Sequence, residues 1–382
     1  MPRFVSVDEK GEEHEFLTEY YGDAGKMLSM EFRKGYEWPF DSRKAKDGSS
    51  VIDLLVYTET KIKGRRVYLD FRKNPMGFEE LPFDNLAPEA YDYLQNAGAL
   101  FGTPLERLGH MNQPAIDLYL EKGVDLSREM LEIALCAQHN NGGADVDMWW
   151  QSGIPGLFVA GEAAGTHGVY RPGGSALNAG QVGSMRAAQY IAKRRPLTPL
   201  TPEELFAACR EDVEKEAYVL YNARRKENTA SRLLSWARER MSKYGGAIRS
   251  PEAVKRTREE TLRVFRDWES TGCGDCPRDL YLLKDALICQ IMLLYAMENY
   301  AAEGGKTRGS ALCVDPDGEA PAGFPRSFAF VTDGGEKDGL TQIVSFENGE
   351  PQAVWRPVRP LPEGGGFFEN VWRSFRENGN IY

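Results

Sequence analysis

Residues 154–162 read Ile154-Pro155-Gly156-Leu157-Phe158-Val159-Ala160-Gly161-Glu162. A short apolar run bounded by Pro-Gly on one side and Gly-Glu on the other is the pattern of a buried strand. A glycine at the strand's end lets a ligand approach the backbone. An acid just beyond it can accept hydrogen bonds from sugar or sugar-alcohol hydroxyls. Ligands of open α/β sheets bind at such carboxyl ends of strands. Read alone, the segment is better explained as a buried strand ending in a polar turn, because short motifs recur by chance.

Its flanks change the reading. Upstream stands His139-Asn140-Asn141-Gly142-Gly143, and downstream His167-Gly168-Val169-Tyr170-Arg171-Pro172-Gly173-Gly174-Ser175-Ala176-Leu177. Two of the four histidines in the chain therefore bracket one apolar segment, and an arginine comes after the second. Residues 178–194 then predict a helix with Ala179, Gly180, Gly183 and Ala187 on its near side. Small residues let a helix approach a sheet or ligand closely. Arg171 offers a planar fork matched to a carboxylate, and His139 a hydrogen-bond donor. Their bland alternatives are a surface salt bridge and a satisfied structural histidine.

The three blocks together resemble the flavoprotein subunits of succinate dehydrogenase and fumarate reductase, a superfamily that includes L-aspartate oxidase. The family order is His-x-x-x-Gly-Gly, then a strand ending in Ala-Gly-Glu, then His-Gly-x-x-Arg-x-Gly and a small residue before Leu. The resemblance extends more loosely to Val67-Tyr68-Leu69-Asp70, similar to the family's capping domain, and to Thr307-Arg308-Gly309, similar to its helical domain. It implies FAD as cofactor. By the resemblance, Glu162 would hold flavin ribityl or ribose hydroxyls. Gly161, Ser175, Ala176 and Leu177 would line the isoalloxazine, largely through backbone groups, with His167 beside it. His139 and Arg171 would be the catalytic pair, binding a substrate carboxylate over the flavin.

The chain also departs from the family. Asn140-Asn141 stand where an aromatic and a small or sulfur residue are usual, so the fumarate or succinate preference does not transfer. Ser175-Ala176-Leu177 replaces Asn-Ser-Leu, a change that backbone contacts survive. The Arg-x-x-Gly-Gly segment of the family's proton-delivering arginine is missing, and Arg3-Phe4 resembles the residues just after that segment. Arg65, Arg66 and Arg72 carry no mark of an acid and read as solvated or salt-bridged. No Gly-x-Gly-x-x-Gly stands after a strand and before a helix, so no pyrophosphate cradle is visible.

Outward from the centre, Arg3–Val7, a turn at Lys10-Gly11 and a polar return to Phe16-Leu17 predict a hairpin. Ile52–Thr60 and Arg66–Phe71 predict a second strand pair. Helices are expected over 88–101, over 114–123 with Gly123 as C-cap, and over 124–137 with Asp125 or Ser127 as N-cap. Thr201 with Pro202 opens a helical region, with helices over 203–225, 229–243, 251–268 and 278–302. Asn348-Gly349 between Leu340–Phe346 and Gln352–Val358 predicts a type I′ hairpin. Cys273-Gly274-Asp275-Cys276 reads as two ordinary thiols at a helix start, since one pair cannot complete a four-cysteine zinc site.

Composition fits this reading. Of 382 residues, 42% are hydrophobic and 27% charged, which excludes a disordered chain or a coiled coil. The net charge of −10 argues against nucleic acid as a partner. Six cysteines fit a reducing compartment, and no signal peptide or membrane span is visible, so a cytoplasmic protein is expected. The expected fold is α+β: a capping domain (1–135), the closing strand and helix of an FAD-binding α/β domain (136–195), a helical domain (196–320) and a β-rich tail with a hairpin (321–382). The expected function is FAD-dependent oxidoreduction, with hydride transfer between flavin and a small carboxylate substrate. By the family's plan the front half is missing, so the chain alone is expected to be inactive, with either an N-terminal FAD-binding chain or an electron-transfer subunit as partner. The alternative is a non-catalytic subunit or relic that uses the cap and helical domains for protein interaction.

Overall fold

The computed structural model describes residues 1–37, 39–136, 142–170, 174–194, 200–359 and 367–378. The chain divides into two compact units, Met1–Ala137 with Thr307–Thr332, and Gln138–Lys306 with Asp333–Tyr382. It is a mixed helix-and-sheet protein with small sheets.

The first unit is built on an antiparallel sheet of β1 (Arg3–Val7), β2 (Glu13–His14), β3 (Arg66–Asp70) and β4 (Leu131–Ile133), in the order β2-β1-β3-β4. Ser6 faces Val67 and Phe4 faces Leu69 across the central pair. The β1–β2 turn forms as expected at Lys10-Gly11, where Asp8 Oδ1 accepts from the Lys10 and Glu12 amides at 2.9 and 3.0 Å. The return strand is only two residues long, because Phe16 already opens α1 (Phe16–Tyr21). Next comes α2 (Ala24–Tyr36), capped by Asp23.

Two sequence expectations fail here. The strand expected over Ile52–Thr60 is α3 (Val51–Tyr57), continued by a π turn over Thr58–Ile62. Val51, Ile52, Leu54 and Val56 are all buried. A helix apolar nearly all round has no periodicity to separate it from a buried strand. The helix expected over 124–137 is a turn that leads into β4. Asp125 Oδ1 accepts from the Ser127 amide at 3.0 Å and its hydroxyl at 2.6 Å, a local turn that competes with helix formation. β4 then pairs with β3, and Glu132 meets Arg66 at 2.5 Å.

α4 (Pro88–Asn96) packs Ala90 and Leu94 into the core, and α5 (Pro104–Glu121) follows it in the chain. Thr103 and Glu106 form a capping box on α5, and Gly123 takes a left-handed φ of 86° beyond its end. The core gathers Phe4, Leu17, Leu28, Ile52, Val67 and Leu94. Thr307–Thr332 belongs to this unit, where the Gly309 carbonyl accepts from Ser42 N at 2.9 Å and Phe328 meets Tyr57 edge to face.

All three arginines read as salt-bridged or solvated are paired: Arg65 with Glu59 (3.0 Å), Arg66 with Glu132, and Arg72 with Asp70 (2.8 Å). Asp70 is fully buried and also takes Arg3 at 3.2 Å. Burial works against its charge, but the Arg72 bonds outweigh it and hold the carboxyl below its usual range.

The second unit carries α6 (Ser175–Arg194), α7 (Pro202–Ala223), α8 (Ala230–Tyr244), α9 (Pro251–Arg266), α10 (Pro277–Ala302) and α11 (Phe367–Asn378). The expected cap at Thr201 is a full capping box with Glu204. α10 is apolar and long enough to cross a bilayer by length and composition. Its Leu280, Leu283, Leu287, Ile291 and Leu294 recur at helical spacing and are buried, the first three in one cluster with Ala230, Leu234 and Trp268. The hairpin of Leu340–Glu347 and Glu350–Pro357 turns at Asn348 (φ 53°) and Gly349 (φ 80°), the two positive angles that a type I′ turn requires. Asn299 on α10 ties it down, accepting from Gln342 Nε2 at 2.8 Å and Trp355 Nε1 at 3.1 Å.

Glu31 on α2 is buried, and its Oε2 has no hydrogen-bond partner among the described residues. Burial pushes its carboxyl up to about 8. A carboxyl raised in this way contributes its full stability below its unfolded value and loses it as pH rises toward the folded value. Between those values the loss is about 1.4 kcal/mol per pH unit. Thermal unfolding at pH 5 and pH 8 should show a steeper fall for the wild type than for Glu31→Gln. Equal slopes would mean that Glu31 ionises normally inside the fold.

Candidate functional site

The three sequence blocks around residues 139–177 meet in the second unit, as far as they are described. Gly142 and Gly143 lie directly on the turn Gly161–Ala164 and on Gly165 at its end. Ala144 N donates to Ala163 O at 2.8 Å. A Cβ on Gly143 would fall 2.3 Å from Ala163 O, and one on Gly165 would fall 2.1 Å from both Gly142 C and Gly143 N. Gly165 also takes φ 63°. Only glycine permits both the angle and the approach.

The first turns of α6 approach the same place. A Cβ on Gly180 would lie 3.4 Å from Gly161 Cα, and Gly161 itself has φ 71°. One turn further along, the helix is held by aromatic packing. Trp150, with a left-handed φ of 61°, presses its indole on Gly183, where a Cβ would fall 2.4 Å from Nε1. Trp149 and Phe158 pack against Tyr190 as tilted pairs with ring centroids 5.6 and 5.8 Å apart, and Arg186 covers Trp149 at 4.4 Å. Asp147 Oδ1 fixes this bend, accepting from the Trp149 and Gln151 amides at 2.7 and 3.0 Å. Asp145 beside it pairs with Arg356 of the hairpin.

The result is an open cavity of about 520 Å³, lined by Gly161, Glu162, His167, Ala176, Leu177, Gly180, Gln181 and Ser184. Five residues singled out from the sequence stand on its wall: Gly161, Glu162, His167, Ala176 and Leu177. Ser175 begins the helix that carries the last two but does not line the cavity. His139 and Arg171 lie outside the described residues. Gly180, Gln181 and Ser184 were not singled out as site residues. Their spacing from Leu177 (i+3, i+4, i+7) puts them on one helix face, and extending the Ser-Ala-Leu block at that period identifies them.

The buried strand expected over 154–160 is not found. Ile154 is 64% exposed and Leu157 47%. Pro155-Gly156 form a tight turn in which Leu157 N donates to Ile154 O at 3.1 Å and Ser152 N to Leu157 O at 2.8 Å. Gln151 and Phe158 form one isolated antiparallel bridge. An apolar run of this kind becomes a strand when neighbours cover it on both sides. Among the described residues, only 150–152 run alongside it.

No protein-family model matches the chain. A fumarate reductase (CoM/CoB) chain of Methanothermobacter marburgensis is 40% identical over 93 residues, 22% of this chain and 17% of that protein. L-aspartate oxidase of Pseudomonas aeruginosa is 24% identical over 194 residues, 48% of this chain and 34% of that protein. Among solved structures, the FrdA chain of E. coli quinol fumarate reductase superposes with TM-score 0.54 at 17% identity, over 94% of this chain and 56% of that one. The chain thus spans about half the length of its structural neighbour and matches smaller parts of the curated relatives. Over these parts the chain is similar to fumarate reductase and L-aspartate oxidase, and its fold is similar to that of the fumarate reductase chain.

The contact between Trp150 and Gly183 is testable through stability. Gly183→Ala should destabilise the protein by about 1–3 kcal/mol, the usual cost of overpacking. In a Trp150→Ala background the same substitution should cost much less. Chemical denaturation of the four proteins of this cycle measures the coupling, and equal costs in both backgrounds would contradict the contact.

Proposed function

We propose that this chain is the substrate-facing and flavin-closing part of an FAD-dependent oxidoreductase, acting by hydride transfer between the flavin and a small carboxylate substrate. One observation carries the reading. Glycine-rich stretches separated along the chain converge on a single cavity with Gly161, Glu162, His167, Ala176 and Leu177 on its wall. The partial likeness to fumarate reductase and L-aspartate oxidase supports it.

The residues fit the proposed cofactor. The cavity volume lies within the range of about 300–1,000 Å³ usual for small-molecule sites. At Gly161 and Gly180 the wall is bare backbone, and an ideal Cβ on Gly161 would meet nothing within 4 Å. A planar ring can therefore lie against the main chain there. When bound, FAD supplies the hydride acceptor or donor.

The protein's part is binding and orientation. Glu162 accepts hydrogen bonds from ribityl or ribose hydroxyls. Gly161, Ser175, Ala176 and Leu177 offer backbone groups to the ring, and His167 flanks it. His139 and Arg171 hold the substrate carboxylate, Arg171 through a bidentate fork. On this reading an N-terminal FAD-binding chain would hold the nucleotide half of FAD, and activity would depend on it.

Riboflavin carries the ring and the ribityl chain without the nucleotide, and so probes the half-site offered here. Quenching of its fluorescence should report binding by the wild-type chain. Glu162→Ala should weaken it about tenfold, or about 1.4 kcal/mol, and Gly180→Val should abolish it by filling the wall. Absence of quenching by the folded wild type, or identical binding by all three proteins, would favour the non-catalytic reading.

A further inference from the structure

Cys273 and Cys276 belong to no part of the proposed flavin site. Cys276 is the N-cap residue of α10, with Pro277 in the first turn. Its amide donates to Cys273 O at 2.9 Å, which closes a four-residue turn, with Gly274 at φ 51° between the two. The ends of such a turn lie within about 7 Å at Cα, and disulfides bridge Cα atoms about 4.4–6.8 Å apart.

The turn is stitched in place before any bond forms. Cys273 N donates to Ala223 O at 2.9 Å at the end of α7, and Gly274 N to Lys226 O at 3.1 Å. Gly272 O accepts from both Thr229 N and Ala230 N at 3.0 Å, and Gly272 sits so close to the α7–α8 connection that a Cβ would fall 2.1 Å from Glu227 O. The loop entropy that ring closure would cost is thus largely removed in the folded state.

The two thiols differ in access. Cys276 is exposed, whereas Cys273 is fully buried in the cluster with Ala223, Leu280 and Leu283. The Cys273 sulfur makes a weak contact to Gly274 O at 3.7 Å. Burial raises the Cys273 thiol, with Asp275 and Asp279 adding to the shift and Arg224 opposing it.

From this geometry we propose that Cys273 and Cys276 form a reversible dithiol/disulfide pair that exchanges with small disulfides, with Cys276 attacking and Cys273 resolving. In the first step the Cys276 thiolate attacks one sulfur of R–S–S–R. The R–S–S–R bond breaks, a mixed disulfide forms on Cys276, and the leaving thiolate takes a proton as RSH. In the second step Cys273 loses its proton and its sulfur attacks Cys276 Sγ. The mixed bond breaks and the second RSH departs. Two protein thiols are oxidised, one small disulfide is reduced, and both thiol protons end on the two RSH. The product ties the start of α10 to the residues just before it, the stretch whose backbone is hydrogen-bonded to the α7–α8 connection.

The full chain can be incubated with oxidised glutathione, quenched in acid, alkylated with iodoacetamide and digested with trypsin. Cleavage after Arg266 and Arg278 places both cysteines, and no other, on one peptide. In the wild type this peptide should appear unalkylated and lighter by two hydrogens, returning to the doubly alkylated form after dithiothreitol. Cys273→Ser should stop with glutathione on Cys276, and Cys276→Ser should carry no adduct. The glutathione ratio for half-conversion should shift about tenfold toward the disulfide in the folded chain relative to the urea-unfolded one. The folded wild type needs no variant to decide the matter. A doubly alkylated peptide under oxidising glutathione, a mixed disulfide that persists on the wild type, or no shift between folded and unfolded chain would each overturn the proposal.

Discussion

The arrangement of the second unit rests on a place where two stretches of main chain touch without side chains between them. Gly143 and Gly165 occupy each other's Cβ space, and the Ala144–Ala163 hydrogen bond locks the contact. A glycine costs about 0.5–1 kcal/mol of extra entropy relative to alanine when it is ordered. Here that cost cannot be avoided by substitution, because any side chain would push the two stretches apart by ångströms. With the turn at Gly161–Ala164 fixed by this contact, Gly180 can rest on Gly161, and the start of α6 is positioned beside it. The cavity is what remains between them.

Trp150 plays the complementary part. A non-glycine residue in the left-handed region costs of order 1–3 kcal/mol, and its surroundings must over-determine it. They do: Asp147 gathers the flanking amides, Val159 N donates to Trp150 O at 2.9 Å, and the indole fills the notch above Gly183. α6 is therefore held at two glycines, Gly180 and Gly183, one turn apart on neighbouring faces. Its glycines lower its intrinsic propensity, and packing compensates for that loss.

Legibility in the sequence tracks the same physics. The helices between 202 and 302 were readable because most carry a cap or an N1 proline, as at Thr201-Pro202 and Ser250-Pro251. The hairpin was readable because Asn348-Gly349 admits few other turns. Val51–Tyr57 misled because burial on most sides erases periodicity, and Asp125–Glu129 because an Asp-x-Ser turn imitates a helix start. Residues 154–160 misled differently. Their composition describes an environment with neighbours on both sides, whereas the fold around them presents one short bridge and two exposed aliphatic side chains. The glycine blocks were legible as a group. The reason each glycine is needed was visible only once Gly142, Gly143 and Gly165 stood in contact.

The chemistry of the cavity wall is set by the side chains those contacts exclude. With backbone at Gly161 and Gly180 and small side chains at Ala176 and Ser184, the wall can meet a flat ring closely, but it offers little to hold a charge. Its one carboxylate, Glu162, suits a neutral polyol and opposes an anion. On the proposed reading, a carboxylate substrate would find its cation off this wall. In the sequence the nearest strongly basic side chain is Arg171, four residues before Ser175, while Arg186 is occupied by Trp149 and the Met148 carbonyl. The division proposed for the site, hydroxyls to Glu162 and carboxylate to Arg171, is thus the one that keeps like charges apart. An acid at 162 and a guanidinium at 171 can serve one bound pair of molecules only if each faces a different partner.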